Sequence, residues 1–477
     1  MGSARREGVG LAVVTLCLVQ YMDVLGVTVV VTALPAMLAD LGAPTLAGSL
    51  VATGYAMFFG GLLMLGARLG DRFGYRRSIL ASLAVFAVAA VVAATATSVV
   101  VLTAARCLQG AAAAASVPAA LRLLTTMTTP GRQRDRAIAV WSAAGAAAGA
   151  SGFVVGGVVT DLASWRVVFW AYLPLAGALA LVIARSVPRD RDPDRSIPLN
   201  LAGSGIFTAT VMSVVVGATL VTEPGKGRLG VALLGASLIL AGVFVGLDRR
   251  AAAPLLPRAV VCVSQLRQGT LAGFLNTLTT SSVITLATLY LQDTLGRSPL
   301  AAAAMLLPFS LAVIAGSTIS VAALRRAPPQ RVVAAGLTAI GSADLALIWA
   351  APSPWALPVC VAAAGSGIGL SSVAATGLGT NVEPAWRATA SGIINTASQL
   401  GTALGVAALL LVAATTARTP APGIPVPALA WALAGAIALA SAATFTFTSS
   451  QTSARPGRAG CERSAEMHTP SQHTVTR

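Results

Sequence analysis

Two ionisable side chains lie inside long apolar stretches of the chain, where a charge is costly. Asp23 falls within the stretch 9–34 and Arg106 within the stretch 99–124. At a helical rise of about 1.5 Å per residue, both fall near the middle of a hydrocarbon core about 30 Å thick. Desolvation favours a protonated carboxyl and a nearby guanidinium favours the ionised form. We predict that Asp23 carries a coupling proton and that Arg106 tunes its affinity; a structural ion pair is the alternative.

A second group of polar side chains follows one helical face in the stretch 269–292. Hydroxyl residues recur there at helical spacing, namely Thr277, Ser281, Thr285 and Thr288. Such a stripe predicts the wall of a cavity for a mostly apolar ligand that needs a few polar contacts. Hydrogen bonds from the hydroxyls to their own helix are the alternative. The residues predicted to line the cavity are Thr28, Asn276, Thr277, Thr280, Ser281 and Thr285.

Residues for metal or nucleotide chemistry do not occur at the required spacings. The five Cys are scattered, and the two His, His468 and His473, lie in the polar C-terminal segment, so no metal site is predicted. A phosphate-binding loop needs Lys followed by Ser or Thr, whereas the single Lys, Lys226, precedes Gly227. We expect no metal, nucleotide or other cofactor and no enzymatic activity. Any active transport would then draw on an ion gradient such as the proton gradient.

The elements that position these residues are apolar stretches of membrane-spanning length. The 477 residues are 56% hydrophobic and 10% charged, compared with about 25% charged residues in soluble domains. This composition excludes a soluble enzyme, a nucleic-acid-binding domain and a disordered chain. A helix needs about 20 apolar residues to cross a bilayer. Fourteen such spans are predicted, at 9–34, 46–66, 78–98, 99–124, 136–160, 166–186, 199–221, 229–247, 269–292, 299–323, 332–351, 354–380, 388–413 and 427–448.

The basic residues are distributed unevenly between alternate loops. With the N-terminus placed in the cytoplasm, 25 of the 32 basic residues lie in inner loops and termini, and five lie in outer loops. Basic residues favour the cytoplasmic side, and the bias does not invert anywhere along the chain. We therefore predict an even number of spans and both termini in the cytoplasm. The net charge of +16 then reflects membrane topology rather than nucleic-acid binding.

The predicted inner loop between spans 2 and 3 combines glycines, one acid and several arginines. Gly66 and Gly70 are four residues apart, which lets two helices approach closely, and Gly74 permits a tight turn. Asp71 can meet a helix N-terminus or an arginine, and such a contact would latch one half of the protein in one state. The pattern resembles the loop signature of the major facilitator superfamily. The predicted latch comprises Gly66, Gly70, Asp71, Arg72, Gly74, Arg76 and Arg77.

Two further segments resemble motifs of the same superfamily. Arg106, Gln109 and Gly110 match its Arg-x-x-Gln-Gly motif in the fourth span. The fifth span resembles its glycine-rich antiporter motif, although Phe153 stands where that motif usually has proline. The loss of proline removes a kink but keeps a face of small residues; close helix packing is the alternative interpretation of that face. Its glycines are Gly145, Gly149, Gly152, Gly156 and Gly157.

The first span and the second half resemble the fourteen-span drug:proton antiporter-2 branch of the superfamily (EmrB/QacA type). Thr28 precedes an Ala-Leu-Pro segment as in that branch, but Gly26 occupies the position of its acid, and the nearby carboxyl is Asp23. Residues three apart share a helical face, so Asp23 would act from one turn lower. The segments 290–299 and 390–401 also resemble this branch.

The resemblance implies an all-α major facilitator fold with two six-helix bundles and two extra linking helices. The bundles would rock around a central cavity that the first and fourth helices of each half line, which are spans 1, 4, 9 and 12. Another acid near mid-membrane, Asp344 in span 11, is expected to have a structural partner rather than a proton role. The implied domains are an N-terminal bundle at 1–190, the linker at 191–268, a C-terminal bundle at 269–448 and a disordered cytoplasmic tail at 449–477.

The function that the resemblance implies is proton-coupled export of hydrophobic drugs or antibiotics across the cytoplasmic membrane. The expected partners are the drug, protons and the lipid bilayer, without nucleic acid or nucleotide. Proton-coupled uptake or exchange of a small polar nutrient or organic anion is the alternative, which the glycine-rich fifth span and the two inserted spans disfavour. A membrane-embedded transferase would need a His, a carboxylate cluster or a metal site, and a receptor would usually carry a soluble sensing domain; the sequence shows neither.

Overall fold

The computed structural model of the chain is almost entirely helical, and it contains no strand in the part that it describes. This is the expected outcome for long apolar segments, because a helix satisfies every backbone polar group within one segment. The structure describes residues 2–44, 47–129, 132–188, 196, 198–221, 225–252, 254–383, 386–416 and 427–454.

Fourteen helices of 20 residues or more make up most of the described chain. Thirteen are long and apolar enough to cross a bilayer, and the other, Arg132–Leu162, contains a shorter apolar stretch. The helices are α1 (Gly2–Asp40), α2 (Ala47–Phe73), α3 (Tyr75–Ala94), α4 (Val99–Met127), α5 (Arg132–Leu162), α6 (Trp165–Ser186), α7 (Leu201–Val221), α8 (Gly227–Arg250), α9 (Ser264–Leu289), α10 (Pro299–Ala323), α11 (Pro329–Ala350), α12 (Ala356–Gly379), α13 (Arg387–Thr416) and α14 (Ala428–Ala454).

The long helices pair in the same pattern in two groups of six. Within α1–α6, the first helix packs on the fifth, the second on the fourth, and the third on the fourth and sixth. Within α9–α14, α9 packs on α13, α10 on α12, and α11 on α12 and α14. The repeat produces two six-helix bundles, and the predicted fold class is confirmed.

The two bundles meet along two seams. One seam joins α2 to α13, and the other joins α5 to α10. The two inserted helices pack on each other, and α7 also packs on both α2 and α13. The inserted pair therefore covers the outside of the α2–α13 seam.

The ends of the helices define two sides of the molecule. We call the side of the α2–α3 loop the inner side, because the arginine distribution predicts that it faces the cytoplasm, and the opposite side the outer side. On the outer side, Arg166 forms an ion pair with Asp40, and Trp165 Nε1 donates to the same carboxylate at 3.3 Å. These contacts fix the end of α1 to the start of α6.

The last helix is longer than its predicted span. It continues to Ala454 and so includes the first residues of the segment predicted to be a disordered tail. Residues 455–477, which make up the rest of that predicted tail, lie outside the described residues.

Candidate functional site

The acid predicted to carry a proton lies in the interior of the N-terminal bundle. Asp23 is 2% exposed, and its Oδ2 accepts a hydrogen bond from Ser116 Oγ on α4 at 2.8 Å. Its Oδ1 has no hydrogen-bond partner among the described residues. Its backbone carbonyl accepts from the Tyr55 hydroxyl on α2 at 2.9 Å. Two neighbouring helices thus hold this residue of α1, and protein rather than lipid encloses the carboxyl.

Arg106 is fully buried beside the same tyrosine but does not pair with the acid. Its Nη1 donates to Gln109 Oε1 at 3.0 Å, and its guanidinium carbon lies 4.8 Å from the centroid of the Tyr55 ring. Its Nε and Nη2 find no partner in the described part of the chain. No ion pair joins Arg106 to Asp23 there either, so the structural ion pair considered from the sequence is absent.

The depth predicted for the two ionisable residues needs correction. Asp23 binds Ser116, which lies ten residues beyond Arg106 in α4, or about 15 Å along the helix axis. The prediction of a common depth is wrong because residue counting along separate helices ignores their tilt and their offset. Tyr55 bridges the difference, with its hydroxyl on Asp23 and its ring beside the guanidinium of Arg106.

Gly26, which stands where the resemblance expects an acid, is buried near the unpartnered groups of this cluster. A Cβ atom at Gly26 would lie 3.6 Å from Tyr55 Cε2 and 3.8 Å from the Tyr172 hydroxyl, which are ordinary contact distances. The Tyr172 hydroxyl is buried and lacks a hydrogen-bond partner in the described structure. Position 26 therefore faces the aromatic end of the cluster, whereas Asp23 faces Ser116.

A cavity of about 290 Å³ lies between the two bundles. Its wall combines α1, α2 and α5 with α9, α10, α12 and α13. No residue of α4 belongs to the described wall, contrary to the predicted contribution of that helix. The side-chain polar groups of the described wall are hydroxyls, and none of its residues is charged. The wall includes Val27, Thr28, Val31, Gly149, Phe153, Thr285, Phe309, Ser310, Ser317, Ser372 and Thr402.

The hydroxyl stripe predicted on α9 reaches the cavity at Thr285. Thr277 instead donates to the Ser398 carbonyl on α13 at 2.5 Å, because this face of the helix packs against α13. Thr280 is fully buried and is not part of the wall. The side chain of Ser281 lies outside the described residues. The predicted lining role is therefore wrong for Thr277 and Thr280.

Asn276 supports the cavity wall from behind rather than lining it. Its side chain is fully buried, its Nδ2 donates to Ser372 Oγ at 2.8 Å, and its Oδ1 accepts from Ser371 Oγ at 2.6 Å. Ser372 lines the cavity. The predicted lining role of Asn276 is corrected accordingly, because this side chain orients a hydroxyl of the wall.

The glycines of α5 let this helix approach both α1 and α10. A side chain at Gly152 would overlap Thr28, and one at Gly156 would overlap the Val29 carbonyl. On the opposite side, a Cβ atom at Gly157 would lie 2.5 Å from that of Ala303 on α10. The predicted face of small residues is therefore a close-packed surface in the structure.

Phe153, which replaces the proline of the motif, makes a contact between the two bundles. It is 4% exposed and lines the cavity. Its ring centroid lies 6.3 Å from that of Phe309 on α10, with an interplanar angle of 83°. Edge-to-face aromatic pairs contribute about 0.5–1.5 kcal/mol beyond their buried area, so this pair stabilises the α5–α10 seam.

The predicted latch loop contacts its own bundle. Gly66 approaches the backbone of Ala114 on α4 so closely that a side chain would overlap it. Gly74 has a φ of +99°, in the region that favours glycine. Asp71 accepts a hydrogen bond from the Tyr75 hydroxyl on α3. This partner differs from the predicted helix N-terminus or arginine, and the latch role itself stays a prediction.

The other latch residues lie at the inner ends of α2 and α3. Gly70 faces the Tyr75 ring, with 2.7 Å between an added Cβ atom and Cδ1. The guanidinium carbon of Arg72 lies 5.6 Å from the centroid of the Phe73 ring. Arg76 Nη2 donates to a backbone carbonyl of α6 at 2.6 Å, and Arg77 is exposed.

The inner end of α2 is also attached to the linker between the bundles. Arg68 Nη2 donates to the Pro254 carbonyl at 2.8 Å. Asp248, near the end of α8, accepts from the backbone amides of Leu255 at 2.6 Å and Leu256 at 3.0 Å. One short linker segment therefore connects the loop signature to the inserted helices.

Comparison with known proteins identifies the family of this arrangement. The model of the Major Facilitator Superfamily matches residues 16–406. The chain belongs to this superfamily. It is 34% identical over 423 residues to the cephamycin export protein CmcT of Amycolatopsis lactamdurans, which covers 86% of each chain. It is 33% identical to the puromycin resistance protein pur8 of Streptomyces alboniger, over 82% of this chain and 79% of that protein.

A solved structure shows the same fold. The crystal structure of the human organic anion transporter MFSD10 (TETRAN) matches with a TM-score of 0.60, over 92% of this chain and 99% of that chain. The sequence identity is 16%, so this likeness concerns the fold alone. The chain described here, with its thirteen apolar helices of spanning length, is a multi-pass membrane protein.

Much of the cavity wall in the C-terminal bundle is not among the residues predicted from the sequence. Phe309, Ser310 and Ser317 on α10 and Thr402 on α13 belong to it. Ser310 Oγ also donates to the Gly149 carbonyl across the α5–α10 seam at 3.3 Å. Hydroxyls repeated within apolar spans are the available sequence signal, but they do not tell which face of a helix turns inward.

Asp344, the second buried acid of the chain, does not have the expected partner. Asp344 on α11 is 0% exposed, and neither carboxyl oxygen has a hydrogen-bond partner among the described residues. The interpretation of Asp344 as part of a structural pair is therefore corrected.

Proposed function

We propose that this chain is a transporter rather than an enzyme, and that it exports hydrophobic drugs or antibiotics across the cytoplasmic membrane in exchange for protons. The similar proteins include an exporter of cephamycin and a puromycin resistance protein, as well as a tetracenomycin C resistance and export protein of Streptomyces glaucescens. Both termini lie in the cytoplasm in this proposal, as the arginine distribution predicts.

The central cavity is the observation that carries the proposal. It lies between the two bundles, and apolar side chains with a few hydroxyls form its described wall. Such a wall suits a mostly apolar ligand that a few polar contacts orient. The described part of the wall contains no charged group to bind an organic anion, which disfavours the alternative of nutrient or anion uptake.

The placement of Asp23 supports the proton part of the proposal. The acid faces Ser116 inside the N-terminal bundle, whereas Val27, Thr28 and Val31 of the same helix line the cavity. A movement of α1 that exposes the acid therefore also moves the cavity wall. Proton binding and drug binding can thus be coupled through one helix without direct contact between the two ligands.

Expression in a bacterial host without its major efflux pumps tests this proposal. We expect lower susceptibility to at least one drug in a panel of puromycin, cephamycin, lincomycin and tetracenomycin C. Cells that express the chain should accumulate less of that drug, and a protonophore should abolish the difference. Higher accumulation on expression would support uptake instead, and a difference that survives the protonophore would contradict proton coupling.

A further inference from the structure

Ser372 on α12 differs from other hydroxyl residues of the central cavity in its hydrogen bonds. A serine or threonine in a helix normally donates to a backbone carbonyl, and four residues of the described wall donate to one at 2.8–3.3 Å, namely Thr28, Ser310, Ser317 and Thr402. The Ser372 hydroxyl oxygen instead accepts a hydrogen bond from Asn276 Nδ2 on α9 at 2.8 Å. No carbonyl of the described chain accepts the proton of this hydroxyl.

Asn276 fixes the direction of this hydrogen bond. Its side chain is fully buried, and its Oδ1 accepts from Ser371 Oγ at 2.6 Å, which turns the Nδ2 group toward Ser372. Ser371 is 1% exposed, so water does not compete for the amide. The hydrogen bonds therefore run from Ser371 through Asn276 to Ser372, where the last proton is left without an acceptor.

Ser372 also has access to the cavity. It is half-buried and belongs to the wall, whereas Asn276 and Ser371 lie behind it and are enclosed. Ile368 and Gly369, one turn earlier on α12, belong to the same wall and offer no side-chain acceptor. A hydroxyl proton that faces apolar surroundings without an acceptor costs free energy, and a ligand that supplies an acceptor recovers it.

We propose that Ser372 donates a hydrogen bond to an acceptor oxygen, such as a ketone or amide carbonyl, of the molecule in the central cavity, and that Asn276 positions this donor. The ligand class is therefore an uncharged, mostly apolar molecule with an exposed carbonyl. A site with an oriented polar group discriminates against an analogue that lacks the matching atom. That this molecule is exported rests on the proposed function, whereas its contact with Ser372 does not.

Binding is tested with the purified full-length chain in detergent and three uncharged tricyclic aromatic probes of nearly equal size. Fluorenone carries a carbonyl acceptor, fluorene carries no hydrogen-bonding group, and carbazole carries an N–H donor. We expect the wild type to bind fluorenone roughly two- to tenfold more tightly than fluorene, as for one hydrogen bond, and Ser372→Ala to lose this preference. Ser366→Ala should keep it. This variant is the matched control, because Ser366 lies on the same helix outside the described wall and donates to the Ala363 carbonyl.

The positioning role of Asn276 is tested with Asn276→Leu, an exchange of nearly equal size. Without the amide, the Ser372 hydroxyl can turn to a carbonyl of its own helix, as Ser366 does. The preference for fluorenone over fluorene should then fall to that of Ser372→Ala, although Ser372 itself is still present. Ser371→Ala, which removes the donor that orients the amide, provides a second variant in case Asn276→Leu does not fold. A folded variant of either kind with the wild-type preference would overturn the positioning role.

The three probes also test the contact at Ser372 itself. Fluorenone that does not bind the wild type saturably, or binds no better than fluorene, would overturn the contact, as would equal preferences in the wild type and Ser372→Ala. Tighter binding of carbazole than of fluorenone would show the reverse direction of the hydrogen bonds, in which Ser371 donates to the Gly367 carbonyl 2.8 Å away and Ser372 accepts from the ligand. That result would overturn the proposed ligand class.

The effect on transport is tested in cells with a carbonyl-bearing drug that the chain exports. Ser372→Ala should raise the drug concentration at half-maximal efflux roughly two- to tenfold, whereas Ser366→Ala should not. An unchanged concentration in Ser372→Ala, despite the loss of its fluorenone preference, would overturn the role of Ser372 in drug recognition. A chain that prefers fluorenone as described but exports no drug would contradict the proposed function and not the contact.

Discussion

Tyr55 connects the two ionisable residues of the N-terminal bundle, which do not touch each other. Its hydroxyl holds the Asp23 carbonyl, and its ring lies beside the Arg106 guanidinium, a contact worth about 0.5–2 kcal/mol. Gly110 lets α4 pack directly against the Tyr55 backbone, because any side chain there would overlap it. The second motif therefore has two roles. Gly110 lets α4 pack against Tyr55, and Gln109 accepts a hydrogen bond from the Arg106 guanidinium. Tyr55 therefore links the backbone of Asp23, not its carboxyl, to the guanidinium of Arg106.

An acid at position 26 should replace the function of Asp23. A Cβ atom at Gly26 makes ordinary contacts and lies 3.8 Å from the partnerless Tyr172 hydroxyl. We expect Asp23→Asn to abolish proton-driven export and Gly26→Asp to restore a measurable part of it in the double variant. Drug accumulation in cells, with and without a protonophore, measures the outcome. Gly26→Asn in the same background is the control of equal size, and rescue by that variant would show that no acid is needed.

The glycine-rich face of α5 has a counterpart in the other bundle. Thr28 on α1 donates to the Ala148 carbonyl on α5 at 3.3 Å, and Thr277 on α9 donates to the Ser398 carbonyl on α13 at 2.5 Å. In both bundles a glycine opposite the threonine would overlap it if it carried a side chain. The repeat favours close packing as the interpretation of these glycines. Phe153 is the residue of the α5 motif whose aromatic ring contacts the other bundle.

Alanine at one of these glycines should separate α1 from α5. A Cβ atom at Gly156 would overlap the Val29 backbone, so Gly156→Ala should destabilise the protein by about 1–3 kcal/mol and lower drug export. Gly177→Ala on α6 is the matched control, since no atom lies within 4 Å of an added Cβ atom there. Thermal unfolding of both purified variants measures the difference. Equal stability of the two variants would contradict the packing role.

The helices could be predicted from the sequence, whereas the faces that they turn inward could not. Bilayer thickness fixes the length of each apolar run, so the number and order of the long helices follow from composition. The rotation of a helix depends on its neighbours. Thr277 and Thr285 share one predicted face of α9. Thr277 nevertheless packs against α13, whereas Thr285 lines the cavity. The offset between α1 and α4, which places Asp23 beside Ser116, is likewise a tertiary property.

At the scale of the whole molecule, two seams of different construction join the bundles. The α5–α10 seam carries the Phe153–Phe309 pair and the hydrogen bond from Ser310 to Gly149. The α2–α13 seam is covered by the inserted helices and contains a cavity of about 200 Å³. Rocking of two rigid bundles would need both seams to rearrange, since each joins one helix of the first bundle to one of the second. The inserted helices therefore pack against only one of the two seams, the one between α2 and α13.

The predicted orientation of the chain can be measured with single-cysteine variants. Cys262 is exposed in the linker, on the inner side, and Arg297 is exposed in a predicted outer loop. A membrane-impermeant maleimide should label Arg297→Cys in intact cells when all native Cys are replaced. The same reagent should label a variant that keeps only Cys262 only after the cells have been permeabilised. The reverse labelling pattern would contradict cytoplasmic termini.

The central claim, that proton movement at Asp23 drives export, is tested most directly in proteoliposomes with an imposed pH gradient. The drug is one identified by the susceptibility panel, and its uptake into the vesicles is followed together with the internal pH. We predict that the wild type and Asp344→Asn, the same exchange at the other buried acid, move the drug against its concentration gradient and dissipate the pH gradient. Asp23→Asn should still bind the drug but do neither. Gradient-driven drug movement by Asp23→Asn at the wild-type rate would contradict the account.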